Sequence, residues 1–172
     1  MQYNIYRLGV TNTTVTCRDG RKYPNIFPNS FDRVLLDAPC TGLGIISKDP
    51  SIKANRLLLD IYKNSHVQKE LLLAAIDCTR VGGTVVYSTC SVSPLENEEV
   101  VNYALKRRFV KVVDCDVEVG EEGLIKFSDK RYHQDLRKTR RIYPHVHNMD
   151  GFYFAKLVKV NKGIRKLETP EE

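Results

Sequence analysis

The chain has 172 residues, 42% hydrophobic and 28% charged, with a net charge of +6, which is enough sequence for one domain with a packed core. No apolar run approaches the roughly 20 residues of a membrane span, so no membrane partner is expected. The five cysteines (17, 40, 78, 90, 115) are odd in number and include no Cys-x-x-Cys, and the histidines lack finger-like spacing from paired cysteines. Neither a disulfide framework nor a metal is expected.

In chain order, Val10–Cys17 is rich in Thr and Val and reads as a strand ended by the Asp19-Gly20 turn. Residues 21–30 read as a loop. Phe31–Asp37 is a strand whose continuous apolar run, Val34-Leu35-Leu36, suits cover on both faces. Asn55–Arg80 reads as helix, with Val67, Leu71, Ala74, Ala75 and Cys78 on one face, Ser65-x-x-Gln68 as a capping box and Gly82-Gly83 as the break. Thr84–Ser88 is a second buried strand. Ser93-Pro94-Leu95-Glu96 has the form of a helix start, leading to a helix as far as Lys106. Phe109–Cys115 is a third strand and Gly151–Val160 a last one, with Phe152, Phe154 and Leu157 as its apolar positions. The order implies an α/β domain over residues 1–160, with a mostly parallel sheet finished by an antiparallel edge strand. Residues 161–172 are expected to be a charged, frayed tail.

Two cysteines stand just past the ends of the buried strands, in Asp37-Ala38-Pro39-Cys40-Thr41-Gly42 and Ser88-Thr89-Cys90-Ser91. Loops at the carboxyl ends of neighbouring α/β strands converge on a ligand crevice, so two thiols and a carboxylate delivered there suggest covalent chemistry. A lone cysteine after a strand is ordinarily a buried structural residue. Here Pro39, Gly42 and Gly44 make a backbone unsuited to a core strand, and three hydroxyls surround Cys90.

Residues 126–147 hold seven basic residues against Asp129 and Asp135, with Tyr132 and Tyr143 interleaved. The segment is either a solvated basic face or a surface for nucleic-acid phosphates, with Lys138, Arg140 and Arg141 as the candidate contacts. His145 and His147 read as structural.

The two cysteine motifs, about fifty residues apart, resemble those of the Sun-domain RNA cytosine-5 methyltransferases. The stretches Arg7-Leu8-Gly9-Val10-Thr11-Asn12, Gly44–Pro50 and Thr139–Phe152 are similar to the nucleolar ribosomal-RNA branch of that family. The resemblance covers residues 1 to about 160. It implies a Rossmann-like S-adenosylmethionine-dependent fold and methylation of carbon 5 of a cytosine in ribosomal RNA, in the nucleolus. In such a reaction Cys90 adds to carbon 6 of a flipped-out base, Cys40 assists release, and Asp37 hydrogen-bonds the cytosine edge. Asp19 would match the family acid near the adenine of the cofactor, and Asp37 would lie near the methyl-donor end.

The resemblance also implies that strands 1 and 2 of the family order 3-2-1-4-5-7-6, and the main glycine loop for the cofactor, are missing. The one G-x-G, Gly42-Leu43-Gly44, has Ser47 where the third glycine would stand. Two expectations follow: residues 10–17 fold back onto the strand at 33–36, or two copies of the chain pair edge to edge there. The alternative to an enzyme is a non-catalytic RNA-binding or structural fragment.

Overall fold

The computed structural model describes residues 2–55 and 57–165. Its helices are α1 (Gln2–Arg7), α2 (Ser51–Asn55), α3 (Leu58–Cys78), α4 (Glu98–Arg107) and α5 (Pro144–His147). Its strands are β1 (Phe31–Asp37), β2 (Thr79–Thr89), β3 (Arg108–Val113), β4 (Glu121–Glu122), β5 (Lys126–Phe127), β6 (Lys130–Arg131), β7 (Arg140–Ile142) and β8 (Phe152–Ile164). The main sheet runs β1-β2-β8, and β8 then pairs with β3 along its C-terminal part and with β7 at its start, with β4 beyond β7. β1 and β2 are parallel, while β8 is antiparallel to both β2 and β3.

The order β1-β2-β8-β3 is the 4-5-7-6 part of the expected family sheet. The antiparallel last strand is therefore interior and not the edge that simple chain order suggests. It also runs to Ile164, into the segment expected to be a frayed tail, because Arg108 pairs with Ile164; residues 166–172 lie outside the described residues. Insertion between β2 and β3 gives β8 neighbours on both sides, and its buried side chains are Tyr153, Ala155, Leu157 and Lys159. Phe152 and Phe154, expected to face the core, stand on the opposite, half-buried face of the pleat.

Val10–Cys17 forms no strand and does not fold back onto β1. Thr- and Val-rich sequence suits a pleated surface, but no partner ladder reaches this segment. β1 pairs with β2 alone among the described residues, and Leu35 is 71% exposed, so the expectation of cover on both faces is overturned.

α3 has two working faces. Ser65, Gln68, Leu72 and Ile76 are buried, and so are Ala74, Ala75 and Cys78 of the stripe visible in the sequence; Leu71 is half-buried and borders, with that stripe, an apolar groove beside β1. Ser65 is not a cap, since α3 begins at Leu58 with the Asp60 carboxylate accepting from the Leu57 N–H at 2.9 Å. The Ser65 hydroxyl instead donates to Leu95 O across the interior.

α3 ends at Cys78 and passes straight into β2, so Gly82-Gly83 lies inside the strand and is not the helix break. Lys159 explains how that junction holds. Its ammonium is 3% exposed and donates at 2.8 Å to Ile76 O, Thr79 O and Asn29 Oδ1, capping the helix C-terminus from β8. Arg108 adds a bidentate pair to Asp77, at 2.7 and 2.8 Å. Lys159→Met should cost about 2 kcal/mol in denaturant unfolding, because the Thr79 carbonyl loses this donor and the Ile76 carbonyl keeps only the Thr79 N–H. Unfolding within experimental error of the parent chain would exclude the capping role.

Candidate active site

Parallel pairing of β1 with β2 sets Asp37 opposite Ser88. The Ser88 hydroxyl donates to Asp37 Oδ1 at 3.1 Å, and Ala38 N–H donates to Ser88 O at 3.0 Å, so the two strands leave the sheet together. Cys40 stands three residues beyond Asp37 and Cys90 two beyond Ser88, and their sulfurs are 2.8 Å apart. Both thiols are half-buried and free. Strand register sets Asp37 at the start of the loop that carries Cys40 and opposite Ser88, two residues before Cys90, so three of the residues singled out in the sequence stand at one end of the sheet.

The loops beyond the cysteines need unusual backbone. Gly42 has φ +75°, a left-handed conformation that favours glycine. Gly44 N–H donates to Cys90 O and Gly151 N–H to Gly44 O, each at 2.8 Å. A Cβ on Gly44 would collide with the backbone of Gly151, so residue 44 must be glycine for the Cys40 loop to lie against the Cys90 loop and the turn before β8.

Burial, and then the hydrogen bond shared with Cys90, push the Cys40 thiol up to about 12. Cys40 therefore rests protonated at neutral pH.

The other candidates lie elsewhere. Asp19 caps a 3₁₀ turn at Gly20–Asn25, accepting from the Arg21 backbone N–H at 3.0 Å and from the Arg21 guanidinium at 2.7–3.1 Å. That guanidinium holds its carboxyl down at about 2. No contact ties Asp19 to Asp37 or the thiols among the described residues, and with 10–17 in coil it does not stand at a strand end. Lys138 is paired with Asp135 at 2.8 Å. Arg140 is half-buried, with its guanidinium donating to Arg137 O and Thr139 O.

Arg141 is turned inward, 2% exposed, with a bidentate pair to Glu98 at 2.7 and 3.1 Å and further bonds to Val92 O and the Tyr143 hydroxyl. It has no free donor face for a surface phosphate, so its assignment as an RNA contact is corrected to a structural one. Lys130 and Arg137 are also paired, with Glu99 and Glu122. That leaves Lys126, Arg131 and Arg140 without a carboxylate partner among the described residues. His147 is structural as expected, its Nδ1 accepting from Tyr143 N–H at 3.1 Å.

A family model described as 16S rRNA methyltransferase RsmB/F matches residues 1–158. The chain belongs to the RsmB/F family. It is 51% identical over 170 residues to the 28S rRNA (cytosine(4447)-C(5))-methyltransferase of Homo sapiens, a match covering 96% of this chain and 21% of that protein. It is 50% identical over 174 residues to the 25S rRNA (cytosine-C(5))-methyltransferase nop2 of Schizosaccharomyces pombe, covering 98% of this chain and 29% of that one. The crystal structure of NSun6 from Pyrococcus horikoshii with SFG superposes with a TM-score of 0.80 at 37% identity, over 94% of this chain and 38% of that chain. The chain thus spans less than a third of the length of these two curated relatives. The α/β fold with a mixed sheet is that of this methyltransferase family.

Sequence reading of this RsmB/F chain missed the residues that support the two cysteine loops: Gln68, Glu96, Asn97 and Glu98, all fully buried. The sequence places Glu96 in the first turn of a helix capped by Ser93 and starting at Pro94. α4 instead begins at Glu98, and residues 94–97 form a turn that carries Glu96 inward. The available signal was the density of acids and amides, Glu96-Asn97-Glu98-Glu99, between a buried strand and the apolar pair Val100-Val101.

The raised Cys40 pKa means that the protonated form is favoured in the folded chain. The stability this adds is complete below the unfolded value of about 8.5 and is lost as pH rises toward about 12. Alkylation of Cys40 by iodoacetamide, mapped by mass spectrometry, should stay slow through pH 9 when folded and follow an ordinary thiol profile in denaturant. Matching profiles in the two states would refute the burial effect.

Proposed function

We propose that this chain is the thiol-bearing part of an RNA cytosine-5 methyltransferase acting on large-subunit ribosomal RNA, in the nucleolus. The observation that carries the proposal is the 2.8 Å approach of Cys40 and Cys90 beside Asp37, at the ends of two parallel strands. The names of the human and fission-yeast relatives favour ribosomal RNA as the substrate class.

Cys90, as thiolate, adds to carbon 6 of a cytosine turned out of its stack, which makes carbon 5 nucleophilic. Asp37 is exposed beside the thiols, where its carboxylate can meet the exocyclic edge of the base and stabilise charge on the ring. Once methylated, carbon 5 must lose its proton as the bond from carbon 6 to the Cys90 sulfur breaks. Cys40, 2.8 Å from Cys90, is placed to take that proton in its thiolate form.

S-adenosylmethionine supplies the methyl group in this reading, supported by the Pyrococcus relative solved with its analogue SFG. The described residues do not by themselves make its cradle. Among the described residues no strand with a glycine-rich turn stands before β1, Asp19 is engaged by Arg21, and Asp37 stands at the thiol end. The exposed edge of β1 and the apolar groove along α3 fit cover by a further strand, which a second copy of this chain could supply. The same incompleteness supports the second reading, in which the 172 residues alone only bind RNA.

The thiol roles are tested in a form of the protein that methylates RNA. Cys90→Ala should abolish methyl transfer, and Cys40→Ala should accumulate a covalent protein–RNA adduct that survives denaturing electrophoresis. An adduct from Cys90→Ala, or none from Cys40→Ala, would exchange or remove the roles. RNA contact is tested by salt dependence: Arg140→Glu should reduce the slope of log affinity against log salt by about one. An unchanged slope would make the segment a solvated face. Arg141→Glu should instead lower thermal stability sharply, since it places two carboxylates together in the interior.

A further inference from the structure

We propose that Glu96 is the positioning residue that sets Cys40 and Cys90 against each other, by holding Thr41 and Ser91, the residues that follow the two cysteines, through one buried carboxylate. The inference rests on reading the two thiols as the working pair, and its geometry stands independently of that reading. Glu96 is fully buried, as are Thr41, Gln68 and Ser91 around it. Its Oε1 accepts from Thr41 N–H at 2.9 Å and from Gln68 Nε2 at 3.2 Å. Its Oε2 accepts from the Thr41 and Ser91 hydroxyls, each at 2.6 Å.

Thr41 follows Cys40 and Ser91 follows Cys90, so each cysteine is one residue from a group held by the same carboxylate. Gln68 extends the clamp to the other side of Cys40, since its Nε2 also donates to Pro39 O at 2.7 Å. Asn97, next to Glu96, holds the Cys90 loop a second time: it accepts from the Thr89 hydroxyl at 2.6 Å and donates to Ser91 O at 2.9 Å. The turn itself is fixed from below, with Glu96 O accepting from the buried Tyr87 hydroxyl.

The chemistry of the site requires an acceptor at residue 96. Three donors point at the carboxylate from the two cysteine loops, and a fourth comes from Gln68. No cation pairs with it among the described residues, so these hydrogen bonds alone compensate its buried charge. An amide of the same size would offer one oxygen and turn an NH₂ group toward donors. The clash would fall on Thr41 and Ser91, and the loops carrying the sulfurs would separate. Aspartate keeps both acceptors on a shorter stem and so rescues part of the clamp.

The test measures proximity of the thiols with no RNA or cofactor present. The full chain is treated with dibromobimane, which fluoresces when it bridges two neighbouring thiols, and the 40–90 bridge is identified by peptide mass mapping. Glu96→Gln should slow bridging about tenfold, the size of a lost hydrogen-bond set to a charged group. Single alkylation of Cys17 should be unchanged, and Glu96→Asp should recover part of the rate. If Glu96→Gln does not fold, Thr41→Val and Ser91→Ala each remove donors from one loop and should each slow bridging severalfold. Bridging at the parent rate in folded Glu96→Gln, or in both single-loop variants, would overturn the proposal. Slowed bridging together with no Cys90 adduct in the methylating form would leave the clamp standing and remove the catalytic reading instead.

Discussion

Glu96 and Glu98 carry two carboxylates into the interior within one turn of chain, and an ionised carboxylate in a protein core costs several kcal/mol unless donors or a cation surround it. The chain answers the two charges differently. Glu98 receives the Arg141 guanidinium from β7 and the Leu124 N–H, which ties α4 to the far side of the sheet. Glu96 receives hydroxyl and N–H groups from the two cysteine loops and α3. The turn before α4 is therefore a common anchor: removing either set of partners strands a buried charge, and the strand-end loops are held as firmly as the core.

The second constraint is the register of two parallel strands. A residue pair at the end of β1 and β2 decides where two loops begin, and the loops can then approach only as far as their backbones allow. Gly44 sets that limit, with its backbone against Cys90 on one side and Gly151 on the other. The scaffold is close-packed at this end and open at the other, where β1 has one neighbour and α3 turns an apolar face to the groove. The close approach of the thiols and the exposed edge of β1 thus coexist in one chain, because they lie on different sides of the β1–β2 pair.

Much of the fold was legible because local pattern and burial agree there. The pattern gives β1 at Phe31–Asp37 and β3 to within two residues, whereas β2 starts five residues before, and α4 four residues after, the start that the pattern suggests. Sequence reasoning failed where a distant partner decides the outcome. Val10–Cys17 has strand composition but no ladder. The visible stripe on α3 is buried at Ala74, Ala75 and Cys78, but Ser65 and Gln68 are buried as well, because their polar groups meet Leu95 O, Pro39 O and Glu96. Phe152 and Phe154 lost the core to Tyr153 and Ala155, since β8 is flanked on both sides. Arg141 sits in a run of basic residues that reads as a surface, and nothing local distinguishes it from Arg140. Its inward turn follows from Glu98, 43 residues away.

The sequence by itself determined the class of the domain and the chemistry carried at its strand ends. Buried apolar runs, helix periodicity and two cysteine motifs are local signals, and the resemblance that rests on them was matched by the family. Only the tertiary structure decided which polar residues support that chemistry. Glu96, Gln68 and Asn97 have no distinguishing local pattern, and their roles arise from burial, where an acceptor without donors is too costly to keep. The sequence brought two thiols to neighbouring strand ends; the folded interior set the distance between them.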